Sequence, residues 1–160
     1  MSIDQEIATF VADYVRIWNA YDVPALRAMW DAEEASPIYV AEESEPMIGW
    51  PAIEAYWGID RSRSDRLLTH DRLTVRQAAP DVAIAFYHMR WNVFIPGNRL
   101  YPQPFGGAVR VSAMLRRRDA GWRLFHYVEA PLAALIQMRK AAEAMVDPAL
   151  HARIAAKQAG

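Results

Sequence analysis

Residues 82–95 read Val82-Ala83-Ile84-Ala85-Phe86-Tyr87-His88-Met89-Arg90-Trp91-Asn92-Val93-Phe94-Ile95. Successive side chains of an extended chain point to opposite faces. One alternate set is Ala83, Ala85, Tyr87, Met89, Trp91 and Val93, and it carries no charge. It predicts a face turned to helices and a cavity. The other set mixes Ile84, Phe86 and Phe94 with His88, Arg90 and Asn92. That mixture is too apolar for open solvent and predicts an outer face covered by a second copy of the chain. Residues 107–118 divide the same way, with Val109, Val111, Ala113 and Leu115 inside and Arg110, Ser112 and Arg116 outside. Period-two patterning also predicts strands over 68–77 and 122–129, the latter entered through the turn Arg118-Asp119-Ala120-Gly121. The Pro- and Gly-rich stretch 96–106 reads either as a lid or as a plain hairpin connection.

Upstream of the strands the period is helical. Ser2 and Gln5 form a capping box, and Ile7, Phe10, Val11, Tyr14, Ile17, Trp18 and Tyr21 recur at helical spacing, giving a helix over about 3–20. Asp22 caps a second short helix that turns Leu26, Met29 and Trp30 inward. A short strand is predicted at 36–41, then an acidic loop from Glu42 to Pro46. Gly49 and Pro51 open a third helix bearing Ile53, Tyr56 and Trp57, stopped by Gly58. Pro131 is expected to start a final helix through about Met145, and Asp147-Pro148 a helical tail. The expected organisation is one domain over 1–146 and a tail over 147–160. Helices followed by a meander of long strands give an α+β fold. Its physical solution is a curved antiparallel sheet wrapped around the N-terminal helices, a cone with an internal pocket at its open end.

Composition narrows the chemistry. The 160 residues are 53% hydrophobic and 23% charged, with a net charge of −1, which offers no bulk reason to bind nucleic acid or an anionic membrane. With no cysteine, disulfides, thiolate metal sites and cysteine nucleophiles are excluded. Four scattered histidines without an acidic cluster do not predict a metal site, and no Gly-rich phosphate loop is present, so no cofactor is expected. The polar start is unlike a secretory signal, no apolar run is long enough to span a membrane, and a cytoplasmic location is expected. Six tryptophans in so short a chain ask for a use.

Several short motifs, in order, carry a resemblance. They are Tyr14-Val15 with Asn19-Ala20 and Asp22, Ser44-Glu45-Pro46 before Gly49, Gly49 with Ile53 and Tyr56, Asp81 with Ala83, and Gly121-Trp122-Arg123-Leu124. Over about residues 5–130 the chain resembles the nuclear transport factor 2-like superfamily, and in particular its SnoaL-like members. The resemblance implies a cystatin-like α+β barrel. It leaves function open, because that fold hosts isomerases, dehydratases, cyclases, dehalogenating lyases and binding modules. It places Tyr87, Val109 and Val111 at pocket positions of the scytalone dehydratase-like relatives. For the last strand, either Trp122, Leu124, His126 and Val128 or Arg123, Phe125, Tyr127 and Glu129 face the pocket. Similarity to the dehydrochlorinase branch favours the second set, and the first would make His126 the pocket base.

Tyr14, Glu129 and His70 are the candidate catalytic residues. Tyr14 falls where the isomerases hold an oxyanion with a tyrosine, and its alternative is an ordinary core tyrosine. Glu129 would be a carboxylate whose pKa is raised at the rim of an aromatic cavity, or a cap for the following helix. His70 shares the parity of Leu68, which matches the catalytic histidine of the dehydratase-like relatives. The family catalytic sets are otherwise missing. The isomerase acids would fall at about Val40 and Ala113, and the histidine–aspartate dyad at Leu68 and Asn19. Tyr39 and Glu42 are the nearest polar substitutes. Trp18, Tyr39, Trp57, Met89, Trp91 and Phe125 are expected to form an aromatic cage, with Asn19, Tyr87 and Tyr127 also facing substrate. The arginines Arg61, Arg63, Arg66, Arg72 and Arg76 interleave with Asp60, Asp65 and Asp71 and read as a solvated connector. The expected function is a cofactor-independent lyase, dehydratase or isomerase acting by proton transfer on a hydrophobic aromatic molecule, such as a lignin-derived compound. The alternatives are a non-catalytic ligand-binding or homo-oligomeric assembly module, or a polyketide cyclase-like protein. A homodimer or higher homo-oligomer is expected.

Overall fold

Ser2 caps the first helix as its spacing predicts: its Oγ accepts from the Gln5 N–H at 3.3 Å, and Gln5 Oε1 accepts from the Ser2 N–H at 3.0 Å. The structure is a computed structural model, and it describes residues 2–60, 63–100, 102–132 and 147–158. Helix α1 (Ile3–Ala20) buries Ile7, Val11, Tyr14, Val15 and Trp18, a stripe of three- and four-residue steps. It ends at Tyr21, whose φ of 51° turns the chain out of the helix. The Asp22 side chain then accepts from the Ala25 N–H at 3.0 Å and opens α2 (Val23–Ala28). Strand β1 (Ile38–Val40) and the two-residue β2 (Met47–Ile48) bracket the acidic loop, and α3 (Trp50–Trp57) follows.

Four long strands come next: β3 (Asp65–Ala79), β4 (Val82–Phe94), β5 (Phe105–Arg118) and β6 (Gly121–Pro131). A last helix, α4 (Pro148–Gln158), is exposed where its side chains are described. The strands form one curved, unclosed sheet of order β2-β1-β6-β5-β4-β3. All its pairs are antiparallel except β1 with β6, which run parallel over Ile38–Val40 and His126–Val128. Helix α1 packs across β3. The inner set of β4 is buried as its parity predicts: Ala83, Ala85, Tyr87 and Met89 are at most 3% exposed, and Val109, Val111, Ala113 and Leu115 of β5 lie beside them. Burial of these apolar faces, closed by Ile7, Leu26, Trp30, Ile53 and Trp57, holds the helices to the sheet.

Three expectations need correction. The first long strand begins earlier than 68 and runs later than 77, because Asp65 and Arg66 pair with Phe94 and Val93, and Ala79 pairs with Val82. Pro131 does not open a helix. It is the last residue of β6, opposite Val109, where a strand end tolerates the missing N–H. The rest of the expected helix over 131–145 lies outside the described residues from 133 onward. The third correction concerns β6. Its ladder with β5 slips between Met114 and Leu115, so that His126 faces Met114 while Leu124 faces Leu115. Phe125 is the extra residue of a β-bulge. Strict alternation therefore breaks there, and both expected sets are half right. Trp122 and Leu124 point inward before the bulge, and Tyr127 points inward after it.

Candidate active site

β6 carries Glu129 to one end of the sheet, opposite Val111. There the inner faces of β4 and β6, the end of α1, the loop after β1 and the connector before β3 enclose a cavity of about 490 Å³. Glu129, Trp18, Tyr39, Met89 and Trp91 line it, as does Glu42.

The polar partners of Glu129 are few. Tyr127 Oη donates to its Oε1 at 3.0 Å, and the Glu42 N–H donates to its Oε2 at 3.3 Å. No lysine or arginine among the described residues pairs with it. Burial therefore dominates and pushes its pKa up to about 7. The two hydrogen bonds work against that rise, and the carboxylates of Glu43 and Glu42 add to it. Such a group is close to half protonated near neutrality, so it can take a proton or give one. Glu42 itself is held above the usual carboxylate range by burial, against the Trp91 indole N–H beside it, with Glu43 pushing the same way as burial.

Beneath the carboxylate lies a layer of phenols. Tyr39 and Tyr127 are Cα partners across the parallel pair, and their rings stack at 5.2 Å with 8° between planes. Tyr14 packs on the other side of Tyr127 at 5.2 Å. Tyr14, Tyr39, Tyr87 and Tyr127 are each at most 2% exposed. Burial drives all four above the ordinary tyrosine pKa, so they stay protonated donors. Tyr14 Oη has no hydrogen-bond partner among the described residues, although Trp18 and Tyr127 lie near enough to act on its charge. Tyr14, Tyr87 and Tyr127 form the floor under the cavity and do not line its surface.

Other expected site residues are placed elsewhere. Asn19 does not line the cavity. Its Oδ1 accepts from the Leu68 N–H at 2.7 Å and its Nδ2 donates to the Leu68 carbonyl at 3.1 Å, a two-point clamp of α1 onto β3. The two positions of the relatives' dyad thus do meet, but through backbone. Leu68 lines the cavity, and His70, one inward step farther along β3, does not. His70 packs edge-on against Tyr87 at 6.1 Å, with Nδ1 buried and unpartnered. Trp57 is core, 1% exposed and edge-on to Trp30 and Tyr39. Its neighbour Tyr56 is turned by one helical step and lines the cavity instead, its Oη donating to Glu43 at 2.8 Å. Phe125 is removed from the cage by the bulge and lies under the Arg116 guanidinium, 4.4 Å from its ring centre. The stretch after β4 is a hairpin connection whose ends, Ile95 and Phe105, line the cavity, while Leu100 within it is 85% exposed.

Sequence reasoning missed part of the mouth. Glu43, Tyr56, Asp60, Arg63 and Arg66 all reach it. Charge alternation over 60–66 gave Asp60, Arg63 and Arg66 the signature of a surface connector, and only the fold brings them to the cavity. Arg66 lies over the Tyr21 ring at 4.0 Å. Among the described residues no three His, Asp or Glu side chains converge as a metal-binding group, and no helix is long and apolar enough to cross a membrane.

A sequence profile described as a SnoaL-like domain matches residues 7–134. No curated protein matches the chain in sequence. Among solved structures, a nuclear transport factor 2-like protein with a cystatin-like fold from Novosphingobium aromaticivorans is similar at 22% identity and a TM-score of 0.64, covering 80% of each chain. A candidate dehydratase of the same superfamily from Streptomyces avermitilis aligns at 13% identity and a TM-score of 0.69, over 80% of this chain and 95% of that one. A candidate calcium/calmodulin-dependent protein kinase II association domain from Xanthomonas campestris aligns at 12% identity and a TM-score of 0.64, over 79% of this chain and 86% of that one. These likenesses establish a shared fold across proteins named for different tasks.

Proposed function

This chain belongs to the SnoaL-like domain family, and from that premise we propose that it is a cofactor-independent lyase, dehydratase or isomerase that moves a proton on a small hydrophobic, aromatic molecule. One observation carries the reading: Glu129 is a carboxylate with no cation among the described residues paired to it, lining an aromatic cavity and held at both oxygens. Tyr127 and the Glu42 N–H fix the direction of its lone pairs. Glu129 removes a proton from a substrate carbon beside an electron-withdrawing group. The electron pair left on carbon either shifts along the substrate or expels a leaving group. Glu129 then returns the proton to another carbon or to that leaving group, so the enzyme ends as it began. Tyr14 lies beneath the lining residues and packs on Tyr127, so in this scheme it supports the floor of the site behind the phenol that holds Glu129. His70 has no part in this scheme.

The test begins with a thermal-shift screen of aromatic acids, phenols and lignin-derived aromatics, followed by turnover of each hit. Glu129→Gln is expected to lower turnover by about 10²–10⁴-fold, the usual worth of a positioned acid–base group. Tyr14→Phe is expected to lower it by a smaller factor. Wild-type rates in the Glu129→Gln variant would refute the mechanism. Self-association through the outer faces of β3 and β4 belongs to the same reading, since Leu67 is 56% and Phe86 43% exposed there. Sedimentation equilibrium reads it directly, and a monomer at all concentrations would remove it.

A further inference from the structure

Side chains directly opposite each other on antiparallel strands compete for the same space. Trp91 of β4 meets no such competitor, because its partner across the ladder is Gly107 of β5. The indole lies over that glycine. A Cβ at Gly107 would stand 2.9 Å from Trp91 Cζ2 and 3.0 Å from Cε2 and Nε1, well inside ordinary van der Waals contact. The neighbouring Gly106 is a glycine for another reason. A Cβ there would meet the Trp91 carbonyl oxygen at 2.4 Å, so the backbone itself closes that position to side chains. Position 107 is closed only by the ring. A further contact holds the indole down: Phe105 packs edge-on at 5.9 Å and 88°. Trp91 and Phe105 both line the cavity, with Trp18 contributing from α1.

We propose that Gly107 is the specificity-determining residue of this pocket: by letting Trp91 lie down on the sheet, it keeps open a slot for one planar aromatic ring against the indole. Any side chain at 107 lifts the indole into the cavity and fills the slot. A flat ring gains contact along the whole indole. A globular aliphatic group of the same charge touches it at one point. The proposal deepens the reading of the cavity as a substrate site and does not depend on what Glu129 does there.

Calorimetric titration with naphthalene-2-carboxylate and adamantane-1-carboxylate tests it. The wild-type protein is expected to bind the planar acid about tenfold more tightly than the globular one. Gly107→Ala should remove that preference. In a Trp91→Ala background the same Gly107→Ala change should alter neither affinity, because the methyl group then has nothing to lift. Three results would overturn the proposal: no preference in the wild type, an unchanged preference in Gly107→Ala, or an equal loss in both backgrounds. Should Gly107→Ala not fold, Trp91→Leu decides, because it removes the flat wall without touching 107. It must bring the two affinities together, and a retained preference overturns the slot. The ratio is a binding quantity, read in protein that keeps Glu129. A failed ratio therefore removes the slot, while loss of turnover in Glu129→Gln is judged separately.

Discussion

Asp31 and Glu129 are both carboxylates withdrawn from water, near opposite ends of β6. Asp31 is 1% exposed, and Arg118 and Arg116 reach it at 2.8 and 3.0 Å. Burial alone would raise its pKa. The Arg118 guanidinium, the Glu33 N–H and Arg116 outweigh that and hold it below the usual carboxylate range. Among the described residues Glu129 has a phenol and one N–H but no cation, and burial wins. One fold thus contains a buried charge that is fully compensated and another that is deliberately left short. The first is structural: Asp31 and Glu34 tie the segment after α2 to the end of β5 through Arg116, and the Asp31 N–H donates to the Leu124 carbonyl at 2.7 Å. The second costs stability whenever it ionises. A carboxylate compensated like Asp31 keeps its charge near neutrality, whereas one surrounded like Glu129 is poised to titrate there.

The contrast can be broken most forcefully at Asp31. Asp31→Asn leaves two guanidiniums without their shared partner and is expected to cost about 3 kcal/mol, read by denaturant unfolding. A cost under about 1 kcal/mol would mean that the network is no more than a surface feature. The next largest effect concerns pH. Glu129 binds its proton more tightly folded than unfolded, so its contribution is complete below about 4.5, its ordinary value, and is lost as pH rises through about 7. The loss is on the order of 3 kcal/mol. Asp31 tilts the same curve the other way, since its stabilisation is present above its ordinary value and disappears as pH falls. Glu129→Gln should abolish the decline between mildly acidic and neutral pH and leave the acid limb unchanged. An identical slope in the variant would show that Glu129 does not titrate in that range. The smallest effect sharpens the comparison. Tyr127→Phe removes the bond that favours the charged form, so the Glu129 titration, followed by carboxyl NMR, should move up by about one pH unit. A downward shift would reverse the assigned role of Tyr127.

The sequence made the sheet readable because β4 and β5 alternate without interruption, and the inner positions they predict are buried in the core or, at Trp91 and Val93, line the cavity. The cavity position of Glu129 was readable only through the resemblance that favoured its set over that of His126, because the bulge breaks the alternation of β6. Three features were not. The bulge at Phe125 depends on how two strands pair, which neither strand records alone, and it removes Phe125 from the cage while keeping Tyr127 in. Asn19 carries the same residue type whether it meets a ligand or a backbone, and only the approach of Leu68 decides. Tyr56 and Trp57 differ by one helical step, and the short α3 has too few residues for its phase to be read from pattern.

The parallel seam between β1 and β6 has a consequence for how the protein comes into being. The Glu42–Glu129 hydrogen bond joins residues 87 positions apart, across every long strand. Closing so large a loop costs chain entropy that the three paired residues of β1 repay only when the rest of the sheet is in place. Until then Glu129 is an ordinary hydrated glutamate with an ordinary proton affinity. Its raised pKa is a property of chains that have finished folding, and a nascent or partly opened chain does not yet have it.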